Sequence, residues 1–155
     1  MVVVSNSSPL IAFADIDQLN LLPAIFDSIL IPPAVAAEIA PSIPDPPQWL
    51  HVESLKQAIP GLVLQRSLGH GEQEALALAI EARAERILLD DLPARRIART
   101  LNLPVTGTVG MLLVAKRHAL IQRVRPHLDA LVKEGFFIGA GLYDDVLQLA
   151  GEFED

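Results

Sequence analysis

The sequence contains no cysteine, few aromatic residues and no apolar run of membrane-spanning length. Without cysteine the chain can form neither disulfides nor thiolate metal sites, and a reducing compartment such as the cytoplasm is permitted. Apolar runs such as Met111 to Ala115 are far too short to cross the ~30 Å hydrocarbon core of a bilayer. The N-terminal residues also lack the basic region of a secretory signal. We therefore expect a cytoplasmic protein with no membrane association.

The length and the apolar content indicate a single folding unit. The chain has 155 residues, and 51% of them are hydrophobic. This content can fill a core without disulfides or a structural metal. We therefore expect one domain over residues 1–155.

The net charge of −7 is distributed very unevenly along the chain. Residues 1–82 carry two basic and nine acidic side chains, whereas residues 83–133 carry ten basic and four acidic ones. The last 22 residues carry only acidic charges. A basic stretch beside acidic ones fits a metal site flanked by a track for phosphates, although a set of solvated helix faces would give the same pattern.

Short apolar runs alternate with helical patterns. Strands are predicted at residues 2–5, 28–31, 87–89 and near 105, and an alternating pattern predicts an edge strand at 50–55. Helices are predicted at residues 10–14, 34–39, 71–82, 94–101, 108–120, 124–133 and 143–150. For the first helix, Ser8 is the expected N-cap and Pro9 the first helical residue. This alternation predicts an α/β fold, a three-layer α/β/α sandwich with a mainly parallel central sheet.

Polar residues follow the predicted strands at positions that a parallel sheet would bring to one edge, where ligands of such sheets bind. They are Asn6 after the first strand, Glu38 on the helix after the second, Glu72 (with Glu74 as a substitute) at the start of the long helix, and Asp90 and Asp91 after a later strand. Clustered carboxylates repel one another and need a cation. Because the four histidines show no paired spacing, an oxygen-only site for Mg²⁺ or Mn²⁺ is predicted, and such ions typically serve phosphoryl-transfer chemistry.

Each of these residues also has a purely structural explanation. Asn6 could turn the chain, and Glu38 could be a solvated helix residue. The two glutamates of the long helix could serve its dipole, and either aspartate could cap the next helix. Their joint position at one edge favours the metal site, because otherwise four independent coincidences would be needed.

Five motifs in the same order resemble those of PIN domains, and more narrowly those of prokaryotic PIN-like proteins of unknown function. They lie at residues 3–11, 31–39, 71–75, 88–95 and 105–110. The resemblance covers roughly residues 2–120, which it implies to be the core of the domain. Residues 121–155 would then form C-terminal helices and an acidic tail.

The resemblance implies a metal-dependent single-strand ribonuclease, often the toxin of a toxin–antitoxin pair, with a small antitoxin protein as partner. It also implies Mg²⁺ or Mn²⁺ as cofactor, one or two ions, and a homo-oligomer. The acidic positions of PIN domains fall on Asn6, Glu38, Glu72, and Asp90 or Asp91. The first is an amide here. An amide oxygen can ligate a hard cation but adds no negative charge, so metal should bind more weakly than at an all-carboxylate site.

RNA contacts are expected next to these positions. Arg95, Arg96 and Arg99 lie on the helix directly after the two aspartates and are the predicted phosphate contacts. Ser7 offers a hydroxyl beside Asn6 for the same purpose. One Trp, one Tyr and five Phe leave few side chains to stack on bases, so no base selectivity is predicted.

Two rival functions are compatible with the same patterns. A catalytically weak or silent PIN-like module that binds nucleic acid or protein would explain both the amide at Asn6 and the overall acidity. A receiver-like signalling domain would also hold Mg²⁺ in an acidic pocket, but such domains place an acidic pair after the first strand. Asn6 and Ser7 are not such a pair.

Overall fold

The structure is a computed structural model that describes residues 1–153. Over these residues the chain forms five strands and eight helices. The strands are β1 (Val3–Ser5), β2 (Ile29–Ile31), β3 (Leu50–Val52), β4 (Arg86–Leu88) and β5 (Val105–Thr106). The helices are α1 (Ser7–Asp15), α2 (Leu21–Phe26), α3 (Pro33–Ile39), α4 (His70–Glu81), α5 (Leu92–Thr100), α6 (Thr108–Arg117), α7 (Arg125–Lys133) and α8 (Ala140–Leu149).

The five strands form one sheet in the order β3-β2-β1-β4-β5, and every pair is parallel. Val4 lies opposite both Leu30 of β2 and Ile87 of β4, which fixes the register at the centre. The predicted three-layer α/β/α sandwich with a parallel sheet is confirmed. Receiver-like domains use the order 2-1-3-4-5. The strand order found here is different, so the receiver-like hypothesis is wrong.

The central strand β1 and its neighbour β4 are short and largely buried, as strands covered by helices on two sides must be. Val3, Val4 and Ser5 of β1 are all buried, and so are Ile87 and Leu88 of β4. The edge strand β3 behaves differently, because only its first residue is buried. The alternating pattern at residues 50–55 therefore indicated an edge strand, whereas the continuous apolar runs indicated buried central strands.

Helix α4 packs against two central strands of the sheet and against two neighbouring helices. Its central residues 75–79 are all buried, because the helix contacts β1, β4, α3 and α5. Alanine and leucine at these positions let neighbouring backbones approach closely while retaining high helix propensity. The predicted helix at 71–82 is thus confirmed to within one residue at each end.

The structure differs from the local predictions in four places. Helix α2 was not predicted, because it is only six residues long and Pro23 resembles a helix breaker. Helix α6 ends at Arg117 rather than at residue 120, and α8 begins at Ala140 rather than at residue 143. The first helix begins at Ser7, with Asn6 in the N-cap position, so Ser8 is not the N-cap. Pro9 is tolerated at the third helical position, because the first four N–H groups of a helix have no partner within the helix.

The C-terminal segment is attached to the core through Glu152. Its buried carboxylate accepts hydrogen bonds from the backbone N–H groups of Val124 (2.7 Å) and Arg125 (3.1 Å), which begin α7. Lys116 at the end of α6 donates to the same carboxylate over 2.9 Å. The last two residues of the predicted acidic tail lie outside the described residues. Over residues 1–153, no helix is both long and apolar enough to span a bilayer.

Candidate metal and nucleic-acid site

The candidate residues gather where the strand order reverses. The chain runs outward from β1 through β2 to β3, and then returns to place β4 on the other side of β1. Ligands of open parallel sheets bind at such a reversal, beyond the carboxyl ends of the two strands. Asn6 follows β1 directly, and its backbone N–H donates to Leu88 of β4 over 2.9 Å. Asp90 follows β4 by two residues, which brings it to the same point.

Asn6 is buried with only 6% of its surface exposed. Within residues 1–153, its side-chain oxygen Oδ1 has no hydrogen-bond partner. The side chain makes no capping bond to α1, although the residue sits at the N-cap position. A buried carbonyl oxygen without a partner is costly, and a bound cation or an ordered water would satisfy it. The simple turn or cap explanation therefore does not account for Asn6.

Asp90 is held by three hydrogen bonds. Its Oδ1 accepts from the backbone N–H of Thr108 over 2.7 Å. Its Oδ2 accepts from the hydroxyls of Ser8 and Thr108, each over 2.7 Å. An ionised carboxylate offers about four acceptor positions, so roughly one remains free. Asp90 thus joins the starts of α1 and α6 at the carboxyl edge of the sheet.

Arg95 folds back onto this edge. Its guanidinium donates to the backbone oxygen of Leu89 over 3.0 Å and lies beside Asp90. A Cβ at Gly107 would lie 2.6 Å from that guanidinium and 2.9 Å from the Asp90 carboxylate, so only glycine leaves them room. Arg95 is therefore partly committed to the sheet edge. Among the predicted phosphate contacts, Arg96 and Arg99 are the exposed ones.

A second group of carboxylates includes Asp91, which follows Asp90 in the chain. Burial raises the pKa of Glu72; a hydrogen bond from the Gly69 N–H opposes this rise, and the neighbouring carboxylates of Asp91 and Glu38 add to it. Partial desolvation raises the pKa of Glu38 as well, with Glu74 adding to the rise and His70 opposing it, although Glu38 is an exposed residue on α3. A raised pKa means that these side chains hold a proton more readily than free glutamate does. Such a group of carboxylates is stabilised by a proton or by a bound cation.

Glycine at position 71 lets Glu38 reach this group from α3. A Cβ there would lie 1.8 Å from the Glu38 carboxylate oxygen Oε1, which is far inside van der Waals contact. Helices α3 and α4 therefore meet closely at this end, and the Glu38 carboxylate rests against the backbone of α4. The motif around Gly71 thus contributes a close approach as well as its two glutamates.

Several of these carboxylates also perform the structural roles considered for them. Glu72 accepts from the N–H of Gly69 over 2.8 Å, which is half of a capping box on α4. Asp91 caps α5 by accepting from the N–H of Ala94 over 3.1 Å. Glu74 accepts from the N–H of Ala34 over 3.0 Å and so caps α3. Of the two candidate glutamates at the start of α4, Glu72 is the one that the Asp91 carboxylate influences.

The donor set fits a hard divalent cation in its chemistry. It consists of carboxylate and amide oxygens, includes the unpartnered oxygen of Asn6, and carries an excess of negative charge. Nevertheless, no three carboxylate or imidazole groups among residues 1–153 surround a common point in a way that would hold an ion. The hydrogen bonds that cap α5 and α3 hold the carboxylates of Asp91 and Glu74 at the starts of those two helices. Metal binding by the predicted residues therefore stays a prediction.

Two site residues were missed by sequence reasoning. Thr108 contributes both a backbone N–H and a hydroxyl to Asp90, and it is fully buried. Ser8 contributes its hydroxyl from a position 82 residues away in the chain. The Val105 to Gly110 motif was recognised as part of a pattern, but nothing local indicated that its threonine contacts an aspartate. For Ser8, the adjacent proline favoured a cap instead.

The fold and the site residues together define an α/β protein with acidic side chains at the reversal of a parallel sheet. A family model described as a PIN domain matches residues 2–152. The chain therefore belongs to the PIN-domain family, as its motifs predicted, and the match extends beyond the expected residues 2–120. The family relationship gives the chain a nuclease-type fold. No curated protein and no solved structure matches the chain.

Proposed function

We propose that the protein is a metal-dependent endonuclease acting on single-stranded RNA. The observation that carries this proposal is the group formed by Glu38, Glu72 and Asp91, in which burial and mutual repulsion raise the pKa of Glu72. Asn6, whose buried side-chain oxygen lacks a partner, and Asp91 both follow strands that meet at the reversal of the sheet, which supports a shared site. A cation of charge two relieves both features at once, because it neutralises the repulsion and supplies a partner for the amide oxygen.

The residues that would hold Mg²⁺ or Mn²⁺ are Asn6, Glu38, Glu72, Asp90 and Asp91. A bound divalent ion supplies an activated water and stabilises the charge that develops on the leaving oxygen. The hydrogen bonds of Asp90 to α1 and α6 keep the edge of the site rigid. These bonds leave the carboxylate about one free acceptor position toward the ion.

Exposed basic side chains would bind the RNA backbone. Arg96 and Arg99 point into solvent from α5, directly after the aspartates of the site. The hydroxyl of Ser7 lies one residue beyond Asn6 and would contact a phosphate or its water. Arg95, which is tied to Leu89, would contribute charge near Asp90 rather than a free contact. Phosphate contacts of this kind position the strand without reading its sequence.

The biological setting that we propose is a cytoplasmic toxin paired with a small antitoxin, acting as a homo-oligomer. Two apolar side chains near the C-terminus are exposed enough to support a protein interface there. Phe137, between α7 and α8, is 88% exposed, and Leu149 at the end of α8 is 70% exposed. Exposed apolar surface marks an interaction site where it forms a contiguous patch.

A catalytically weak binding module is the second candidate, and the chemistry of position 6 favours it. Asn6 gives the site one negative charge less than an aspartate would, and Asp90 already uses most of its acceptor capacity inside the protein. Both features lower the expected affinity for metal. The module would retain the basic face of α5 and bind RNA without cleaving it.

Cleavage of a labelled single-stranded RNA with Mn²⁺, with Mg²⁺ and with EDTA separates the two candidates. The nuclease requires cleavage that depends on the ion and falls at least tenfold in Glu72→Gln. Glu85→Gln is the matched control, because Glu85 is exposed and precedes β4 at the opposite edge of the sheet. RNA binding without cleavage under any of these conditions would instead establish the binding module.

A further inference from the structure

A cavity of about 340 Å³ opens between α1 and the end of α7, beside the candidate metal site. Ser7, Ser8 and Ile11 form its wall on α1, and Leu131 and Phe136 form the opposite wall. Its volume lies at the lower end of the range for small-molecule sites, roughly 300–1,000 Å³. It can therefore hold one planar ring system but not a longer stretch of chain.

The cavity is joined to the candidate site through α1. The hydroxyl of Ser8, which lines the cavity, donates to Asp90 over 2.7 Å. Ser7 also lines the cavity, and it directly follows Asn6, whose side-chain oxygen lacks a partner. A strand whose phosphate lies at the metal site would therefore have a neighbouring base within reach of this cavity.

The end of α7 fixes the position of the aromatic wall. Gly135 has φ +95°, and its N–H donates to the oxygen of Val132 over 3.0 Å. The N–H of Phe136 donates to the oxygen of Leu131 over 2.9 Å. This pair of bonds is a Schellman motif, which depends on glycine at the left-handed position and brings Phe136 into contact range of Leu131. The ring is thus placed by backbone geometry as well as by packing.

The polar lining favours hydrogen-bond donors over phosphate. Asp15 and Glu134, both exposed, are among the residues that line the cavity, and no Lys, Arg or His occurs among the described residues that line it. Carboxylates accept hydrogen bonds from exocyclic amino groups, such as N4 of cytosine. They repel phosphate groups. An aromatic wall with carboxylates beside it therefore matches a nucleobase that carries an amino group.

We propose that this cavity is a subsite for one base of the RNA, selective for a base with an exocyclic amino group over uracil. This proposal rests on the proposed function, because the selectivity has a biological role only if the protein acts on RNA. Phe136 provides the stacking face, while Asp15 and Glu134 provide the acceptors. Base stacking on an aromatic side chain contributes roughly fivefold to a hundredfold in affinity.

Cytidine and uridine are the matched probes, because they differ at position 4, where one has an amino group and the other a carbonyl. Binding to the full chain without metal is followed through the backbone amide signals of Gly135 and Phe136 by NMR. Cytidine should shift these signals at a concentration at least fivefold below that required for uridine. Neither nucleoside carries a phosphate, so the measurement reports on the cavity alone.

Two variants test the assigned roles. Phe136→Leu keeps the apolar contact of the Schellman motif but removes the stacking face, and it should weaken both nucleosides at least fivefold. The double variant Asp15→Ala/Glu134→Ala should reduce the preference for cytidine to about onefold. Phe137→Leu is the control, because this neighbouring phenylalanine is 88% exposed and does not line the cavity.

The outcomes separate this subsite from the nuclease itself. Cytidine binding that depends on Phe136, in a protein that never cleaves RNA, supports the subsite and overturns only the nuclease. Absence of shifts at Gly135 and Phe136 with either nucleoside overturns the subsite, even if the protein cleaves RNA. Equal binding of cytidine and uridine, or shifts that persist unchanged in Phe136→Leu, also overturns it.

Discussion

The candidate carboxylates of the site lie in two different environments. Asp90 is satisfied, because three hydrogen bonds from Ser8 and Thr108 surround it. Glu38 and Glu72 are crowded, and burial and neighbouring carboxylates raise the pKa of both. The first arrangement stabilises the fold, whereas the second retains repulsion that a ligand can relieve. Asp90 therefore contributes mainly to stability, whereas Glu38 and Glu72 are the side chains whose repulsion a bound cation would relieve.

The largest expected effect comes from removing the satisfied carboxylate. Asp90→Ala leaves the buried N–H and hydroxyl of Thr108 without their acceptor, and we expect a loss of about 2–4 kcal/mol in the free energy of unfolding. Asp91→Ala removes a helix cap, which should cost about 1 kcal/mol, and it also relieves repulsion with Glu72, so its net loss should be smaller still. Urea unfolding of both variants gives the comparison. Equal losses would contradict the separation between the two aspartates.

Glu152 offers a second satisfied carboxylate, far from the candidate site in sequence. Burial raises its pKa, but hydrogen bonds from Val124, Lys116 and Arg125 outweigh this, so the pKa of Glu152 is lowered overall. Its contribution is therefore present above the unfolded value of about 4.5 and is lost as the pH falls through the lower folded value. Glu152→Gln should cost about 1–3 kcal/mol at pH 7, and less in acid.

Unfolding of parent and variant at pH 7 and at pH 3 measures this difference. Asp145→Asn, an exposed change on α8, is the control and should have almost no effect. A cost for Glu152→Gln that is the same at both pH values would mean that its hydrogen bonds do not depend on charge.

The crowded group should give the opposite pH dependence. Because the pKa of Glu72 is raised in the folded state, its stability contribution is complete below the unfolded value of about 4.5 and is lost as the pH rises through the folded value. Without metal, the parent should therefore lose stability between about pH 4.5 and neutrality, and Glu72→Gln should lose less. Thermal melts across this pH range in EDTA test the sign. A steeper decline in the variant would contradict the crowding.

The smallest effect on stability is expected from Gly71→Ala. The new Cβ meets the far end of the Glu38 side chain, which can move aside without disturbing the fold. The melting temperature should stay within about one degree of the parent, while the affinity for Mn²⁺ falls severalfold because Glu38 is displaced. Gly141→Ala adds a methyl group to open space on α8 and is the control. A variant that binds Mn²⁺ like the parent would remove Glu38 from the metal site.

Most of the fold was predictable because local signals agree with it. Apolar runs ended by Asn6 or by Pro32 marked strands, and the helix formers after Gly71 marked α4. The order of polar residues also predicted that they would meet, since parallel strands place their carboxyl ends together. Short elements such as α2 were missed, because a six-residue helix containing Pro23 has no clear periodicity.

The parts that could not be predicted depend on contacts between distant segments. The bond between Ser8 and Asp90 spans 82 positions, and the cap that Glu74 places on α3 spans 40. Neither leaves a pattern in the sequence around it. The same applies to Asp90, since nothing in its neighbourhood indicates that its acceptor capacity is largely used by Thr108. Sequence reasoning therefore found the candidate residues but not the division of roles among them.

The central claim is that the reversal point of the sheet binds a divalent cation, with Asn6 as one ligand. The most direct test is the Mn²⁺-induced shift in melting temperature for the parent and for Asn6→Asp, with Asn102→Asp as control at the opposite edge. Asn6→Asp should melt below the parent in EDTA, because it adds charge to a crowded site, and should gain more from Mn²⁺, since added ligand charge raises affinity. The same Mn²⁺ shift in all three proteins would contradict the claim.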